Sequence, residues 1–214
     1  MVELDDSVVG GRLPRFAEAP EYRNGGECSV SSSSSSSCDP SHVHIAMTLD
    51  SEYLRGSMAI VLSVLKHASC PENVFFHFIS SESDTSALTK LVRSTFPSLN
   101  FKVYLFKEVK KLISSSIREA LENPLNYARI YLVELLEPCV NRVIYLDSDL
   151  LVVDDIHKLW SIPLTGSRLI GAPEYCHANF TKYFTDGFWE NQVFSKVFNG
   201  RMRKPCYYVF TLHM

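Results

Sequence analysis

The sequence has no excess of positive charge and no long apolar run. Its 214 residues carry 21 Lys and Arg against 24 Asp and Glu, a formal net charge of −3, which argues against a surface that collects phosphates along a nucleic acid. No stretch reaches the roughly 18 apolar residues of a membrane helix, and residues 1–6 lack the basic and then apolar pattern of a secretory signal. We therefore predict no nucleic-acid partner and no membrane segment or export signal in this chain.

Several common kinds of site are also missing. The nine glycines form neither a GxGxxG nor a Walker pattern, which disfavours dinucleotide and P-loop sites. The six cysteines include no CxxC pair, which disfavours a structural zinc site. Their even number permits disulfides in an oxidising compartment, but a chain of this size can fold without them, so bridges and buried free thiols both stay open. The histidines show no ligand spacing, and we assign His42 and His44 to packing.

The first 41 residues differ in composition from the rest of the chain. They contain two Gly-Gly pairs, several prolines and an unbroken serine run from Ser31 to Ser37. Such a run cannot bury enough apolar surface to offset the entropy lost on ordering. We predict a flexible lead over residues 1–41 and a single domain over residues 42–214.

From His42 onward, apolar runs alternate with helical patterns. This alternation predicts an α/β fold with a mostly parallel sheet, whose strand ends meet at one edge where ligands bind. The predicted strands are His42–Leu49, Val74–Ile79, Phe101–Phe106 and Arg142–Leu146. The first predicted helix follows Asp50 and ends at Cys70-Pro71, with an inner stripe of Leu54, Met58, Val61, Leu62 and Leu65. The second predicted helix covers Ser86–Phe96. The third covers Leu125–Leu136, with an inner face of Leu125, Ala128, Leu132 and Leu135.

Two carboxylates, Asp147 and Asp149, follow the fourth predicted strand and precede another apolar run. A turn at the strand end can bring both toward one point, where they would form a hard oxygen site for Mg²⁺ or Mn²⁺ with phosphate oxygens. Two other interpretations stay open. The acids can belong to a surface turn, or Asp147 can be the nucleophile of a phosphatase that places the same motif after a strand.

Three further positions have both a structural and a functional interpretation. Asp50 and Tyr53, at the first strand–helix junction, can cap the helix or line a nucleoside pocket by hydrogen bonding and stacking. Arg129 is interpreted from the residues alone as a surface arginine whose stem covers the core, with a cation for phosphate or a sugar carboxylate as the alternative. Asp154 and Asp155 precede a short apolar helix, and we predict that they cap it, with a second metal site as the alternative.

The stretch from His42 to Phe210 resembles the plant galacturonosyltransferase-like branch of glycosyltransferase family 8. The matching segments are His44–Asp50, Tyr53–Ala59, Cys70–Asn73, Leu125–Leu132, Val143–Trp160 and Ala172–Thr181, with Glu18–Gly25 similar in the lead. The resemblance implies a GT-A fold, one Rossmann-like domain that binds a nucleotide sugar. It implies that Asp147 and Asp149 hold Mn²⁺, with Asp147 also near the ribose. It places Thr48, Asp50 and Tyr53 in the uridine pocket and Arg129 at the donor sugar or its diphosphate.

The same resemblance implies an activity. The family transfers a sugar from a UDP donor with retention, and this branch is associated with pectin-type wall polysaccharides in the Golgi lumen, with UDP-galacturonate as donor and related transferases as possible oligomeric partners. Family members are longer than this chain, and their third metal ligand, a histidine in an HxxGxxKPW-like segment, has no match here. We therefore expect a C-terminally incomplete member, and a catalytically inactive binding protein is the alternative.

Overall fold

The computed structural model describes residues 13–29, 36–81, 85–107, 124–166, 170–172, 174–175, 186–192 and 207–208. Within them the chain alternates between strands and helices, as predicted. The strands are β1 (Val43–Thr48), β2 (Val74–Ser80), β3 (Asn100–Leu105), β4 (Ile144–Tyr145), β5 (Glu174–Tyr175) and β6 (Tyr207–Tyr208). The helices are α1 (Leu54–His67), α2 (Thr85–Thr95), α3 (Leu132–Leu135), α4 (Ile156–Trp160) and α5 (Asp186–Glu190), with 3₁₀ helices at Pro71–Asn73 and Pro124–Tyr131.

The first four strands form one parallel sheet in the order β3-β2-β1-β4. All seven residues of β2 are buried, because a parallel strand inside the sheet is covered on both faces. β4 pairs with β1 through Ile45 opposite Ile144 and Ala46 opposite Tyr145. The carboxyl ends of β1 and β4 therefore lie side by side at one edge of the sheet. A separate two-stranded pair, β5 with β6, is antiparallel.

Alternate strand residues feed two apolar layers. Ile45 and Met47 belong to a core shared with α1 and α2. Ala46 and Tyr145 belong to a second core shared with the 3₁₀ helix Pro124–Tyr131 and with α3. This alternation follows from the period of two in a strand, and it places the 3₁₀ helix on the same face as Tyr145.

The helices differ from the prediction in two places. Residues 125–136 do not form one α-helix: a 3₁₀ helix runs to Tyr131 and α3 covers only Leu132–Leu135. The 3₁₀ helix has three residues per turn, which puts Leu125 and Ala128 on its buried side. In α1, Leu62 is 38% exposed, and the inner face includes Ile60 and Val64 instead.

The described part of the lead is packed against the domain. The Ala19 N–H donates to the Thr95 carbonyl at 2.8 Å, and Phe16 and Tyr22 pack on the main core. Asn24 donates to the Asn73 side chain at 2.9 Å. Apolar and amide contacts thus hold residues 13–29, which the Gly-rich and Pro-rich composition did not indicate. Residues 31–35 of the serine run lie outside the described residues.

Two disulfides decide the question that the cysteine count left open. Cys28 pairs with Cys70, and Cys38 pairs with Cys139. Each joins the lead to the domain across 42 and 101 residues of sequence, respectively. The remaining two cysteines, Cys176 and Cys206, lie outside the described residues.

A hydrogen-bonded chain of buried side chains crosses the sheet on the second face. His44 Nδ1 lies 3.0 Å from His77 Nε2, and His77 Nδ1 lies 2.9 Å from the Tyr104 hydroxyl, which donates to Glu137. Because the Tyr104 hydroxyl donates to Glu137, His77 Nδ1 donates to the Tyr104 oxygen, and a neutral His77 then accepts at Nε2 from His44 Nδ1. Burial, and to a lesser extent a neighbouring imidazole, lowers the pKa of His44 to about 4 and that of His77 to about 3.

We expect the protein to lose stability as the pH falls below about 6.5. Unfolded histidines take up protons there while the buried pair does not, so the free energy of unfolding should fall by up to about 1.4 kcal/mol per pH unit for each histidine. Desolvation opposes charge on Glu137, but hydrogen bonds from Lys102 and Tyr104 lower its pKa to about 2, so its contribution is lost only at lower pH. Urea unfolding between pH 5 and 7 measures the slope. His77→Gln should flatten this slope, and a slope in His77→Gln equal to that of the unaltered protein would contradict the assignment.

Removing either disulfide should destabilise the fold. In the chain-entropy account, loops of 42 and 101 residues correspond to about 4 and about 5 kcal/mol. Thermal unfolding should therefore show a lower midpoint for Cys28→Ser/Cys70→Ser and for Cys38→Ser/Cys139→Ser, and reductant should lower the midpoint of the unaltered protein. A midpoint insensitive to reductant would show that these bridges do not stabilise the fold.

Candidate functional site

A cavity of about 220 Å³ opens at the carboxyl edge of the sheet. All six residues that the sequence assigned to a nucleotide-sugar and metal site line it, together with four others. The ten lining residues are Thr48, Asp50, Tyr53, Leu125, Asn126, Arg129, Tyr145, Asp147, Ser148 and Asp149. The parallel pairing of β1 with β4 explains this convergence, because Thr48 ends one strand and Asp147 follows the other.

The two acids lie on a turn directly after β4. The Leu146 N–H donates to the Ala46 carbonyl at 2.9 Å, which extends the pairing with β1 up to the turn. The Ser148 hydroxyl lies 3.4 Å from the Thr48 hydroxyl. The side chain of Asp147 is 32% exposed. A carboxylate at this position can therefore bind a ligand in the cavity while its backbone is held by the sheet.

Arg129 makes a partly buried ion pair in the cavity. Its Nη2 donates to Asp147 Oδ1 at 2.8 Å, and its Nε donates to the Asn126 carbonyl at 3.2 Å. The guanidinium carbon lies 4.7 Å from the centroid of the Tyr145 ring, and the side chain is only 22% exposed. Arg129 therefore lies over the core residue Tyr145, as the structural interpretation predicts, and its guanidinium is at the same time paired inside the cavity. The 3₁₀ helix, which packs over Tyr145, turns this residue toward the cavity.

Asp50 and Tyr53 form the part of the cavity wall that comes from the junction between β1 and α1. Asp50 Oδ1 accepts a hydrogen bond from the Tyr53 N–H at 2.9 Å, so Asp50 caps the turn that leads into α1, whose own N-cap residue is Tyr53. The Tyr53 side chain is 56% exposed. One carboxylate oxygen and an open aromatic ring therefore face a ligand-sized space.

The charges of the lining residues favour a cation. Three carboxylates, Asp50, Asp147 and Asp149, stand against one guanidinium. Burial raises the pKa of the Tyr145 hydroxyl, so this phenol stays neutral beside them. Among the described residues, no group of three or more His, Cys, Asp or Glu side chains is arranged to hold a metal ion.

A sequence model described as "Glycosyl transferase family 8" matches residues 44–210. The chain belongs to glycosyltransferase family 8. The match includes every residue that lines the cavity.

Curated relatives place this family 8 chain in the plant galacturonosyltransferase-like branch. It is 68% identical over 209 residues to "Probable galacturonosyltransferase-like 9" of Arabidopsis thaliana, covering 93% of this chain and 53% of the relative. It is 66% identical over 210 residues to "Probable galacturonosyltransferase-like 8" of the same plant, covering 92% and 53%. The predicted resemblance is confirmed. The chain spans about half the length of these relatives.

Solved structures confirm the GT-A fold of this family 8 member. The galactosyltransferase LgtC, crystallised with donor and acceptor sugar analogues, matches with a TM-score of 0.58 and 23% identity, over 80% of this chain and 57% of LgtC. An active-site mutant of LgtC matches with a TM-score of 0.52 and 23% identity, over 69% and 50%. In the described part of the chain, no helix has both the length and the apolar character needed to cross a membrane.

Sequence reasoning did not assign four lining residues to the family 8 site: Leu125, Asn126, Tyr145 and Ser148. All four lie in segments that carry the family resemblance, but none of these residue types by itself indicates a ligand. Asp154 and Asp155 lie outside the cavity lining: Asp155 accepts from the His157 N–H at 3.0 Å and caps α4, as predicted, while Asp154 pairs with Lys158.

Proposed function

We propose that this chain binds the donor of a retaining, metal-assisted transfer of a sugar, galacturonate, from UDP to a pectin-type polysaccharide. The observation that carries the proposal is the single cavity that gathers Thr48, Asp50, Tyr53, Arg129 and the acidic turn. Membership of family 8 and the names of the plant relatives support the reaction class and the sugar.

The wall formed by Asp50 and Tyr53 suits the nucleoside. An exposed tyrosine ring can stack on uracil, and the Asp50 carboxylate can accept hydrogen bonds from a base N–H or from ribose hydroxyls. Thr48 lines the same cavity and adds a hydroxyl, which lies 3.4 Å from the hydroxyl of Ser148 in the acidic turn. These groups orient the nucleoside without a glycine-rich phosphate loop.

The acidic turn suits a divalent ion. Asp147 and Asp149 are hard oxygen ligands, and two protein ligands leave coordination positions for diphosphate oxygens. A diphosphate adds negative charge to a cavity that already holds three carboxylates, so Coulomb repulsion opposes binding of UDP alone. Bound between the two acids, Mn²⁺ would supply the positive charge that offsets the diphosphate as the glycosidic bond breaks.

Arg129 supplies the cation that the protein itself brings to the cavity. Its pairing with Asp147 and its contact with Tyr145 hold the guanidinium in place. A guanidinium recognises phosphate and carboxylate groups by paired N–H donors. We assign it to the donor diphosphate or to the carboxylate of galacturonate.

The disulfides support a place in the secretory pathway. Cys28–Cys70 and Cys38–Cys139 form and persist in an oxidising compartment. Together with the family resemblance, they support the Golgi lumen as the site of action, where polysaccharide acceptors and related transferases would be partners.

Calorimetric titration of UDP with and without Mn²⁺ tests the proposed function. We expect Mn²⁺ to tighten UDP binding to the unaltered protein at least tenfold, about 1.4 kcal/mol. Asp149→Asn keeps the shape of the side chain but removes a charged ligand, so the gain from Mn²⁺ should fall below about twofold. Asp154→Asn, an exposed acid outside the cavity lining, should keep the full gain.

Two results would contradict the proposal. One is equal UDP affinity with and without Mn²⁺ in the unaltered protein. The other is an undiminished gain in Asp149→Asn. Metal-dependent binding of UDP-galacturonate without hydrolysis or transfer would instead support the alternative of a donor-binding protein that is catalytically inactive.

A further inference from the structure

Helix α1 runs beside the segment that follows β4, from the acidic turn to α4. The same helix begins next to the wall formed by Asp50 and Tyr53 (the nucleoside wall), since Tyr53 is its N-cap residue. It therefore adjoins both the junction that carries Asp50 and Tyr53 and the acidic turn. Two contacts from α1 and one from just after its end hold the segment 148–155.

The first contact is an approach that a glycine permits. A Cβ at Gly56 would lie 2.3 Å from the Ser148 carbonyl oxygen and 3.5 Å from its carbonyl carbon. The first of these distances is far shorter than any ordinary non-bonded contact. The backbone of the acidic turn thus lies directly on the first turn of α1. By comparison, Ser148 and Thr48 are joined only by long hydroxyl contacts of 3.4 and 3.5 Å.

The second and third contacts are hydrogen bonds farther along the helix. The Ser63 hydroxyl, two helical turns after Gly56 on the same face, accepts from the Val152 N–H at 3.0 Å and donates to the Ile60 carbonyl at 2.8 Å. Just beyond the helix end, the Ser69 N–H donates to Asp155 Oδ2 at 3.2 Å.

The side chains of the segment follow the same alignment. Leu150 and Val152 pack against the core that includes α1, whereas Leu151 and Val153 are 65% and 79% exposed. This alternation is that of an extended chain lying on a surface. The segment 148–155 is therefore held in one alignment along α1. Gly56 contacts this segment at Ser148, the residue between the two acids.

We propose that Gly56 and Ser63 are positioning residues that set the acidic turn at the distance from the nucleoside wall that a metal-bound diphosphate requires. Neither residue lines the cavity, so they act through Ser148 and Val152. The inference deepens the proposed function and rests on it.

The test compares three alanine variants of the full chain with the unaltered protein. In Gly56→Ala the added methyl must displace the Ser148 carbonyl by about 1 Å to reach ordinary contact. In Gly26→Ala the added methyl meets nothing within 4 Å, which makes it the matched control. Ser63→Ala removes the acceptor of the Val152 N–H, and Ser63→Thr restores a hydroxyl.

The readouts are the affinity for UDP with and without Mn²⁺ and the amide chemical shifts of Ser148 and Asp149. For Gly56→Ala and Ser63→Ala we expect the gain from Mn²⁺ to fall at least fivefold, with metal-free UDP affinity changed by less than twofold and the two amide signals moved. Gly26→Ala and Ser63→Thr should keep the gain. A general loss of folding would lower both affinities together, so this split separates a positioning role from a structural one.

An undiminished gain in Gly56→Ala, or unmoved Ser148 and Asp149 amides, would overturn the proposal while leaving the proposed function intact. If Mn²⁺ does not tighten UDP binding to the unaltered protein, the proposed metal role fails, and the proposal that Gly56 and Ser63 position the turn for the metal fails with it. Moved Ser148 and Asp149 amide signals in Gly56→Ala would then show only that Gly56 places the acidic turn.

Discussion

The site depends on the parallel pairing of β4 with β1. Two residue pairs, Ile45 with Ile144 and Ala46 with Tyr145, set the register, and the hydrogen bond from Leu146 to Ala46 carries it to the end of the strand. A shift by one residue would turn Tyr145 from the second core to the first. It would also move Asp147 away from Thr48. The fold thus places the acids by burying the apolar residues just before them.

The chemistry of the cavity follows from a balance of charge. Asp147 is shared between two tasks: it pairs with Arg129, and we propose it as a metal ligand. Because one guanidinium faces three carboxylates, the cavity retains negative charge that a divalent ion can neutralise together with a diphosphate. Binding of donor and metal should therefore be coupled, each favouring the other.

The sequence predicted the sheet well because apolar runs of strand length carry a strong local signal. Three of the four strands lie within one residue of their predicted bounds, and the acids follow β4 as expected. Contacts between distant segments were beyond that signal. The Arg129–Asp147 pair depends on a 3₁₀ helix that reads as an α-helix in sequence, the disulfides join cysteines 42 and 101 residues apart, and nothing around Gly56 shows that Ser148 lies against it.

The location of a manganese ion tests the central claim most directly. Anomalous diffraction at the manganese edge, from crystals of the chain grown with Mn²⁺ and UDP, would show the ion independently of any assumption about its ligands. The account predicts one strong peak at coordination distance from the carboxylates of Asp147 and Asp149 and from diphosphate oxygens. UDP bound at the cavity with the ion elsewhere, or with both carboxylates turned away from it, would contradict the account.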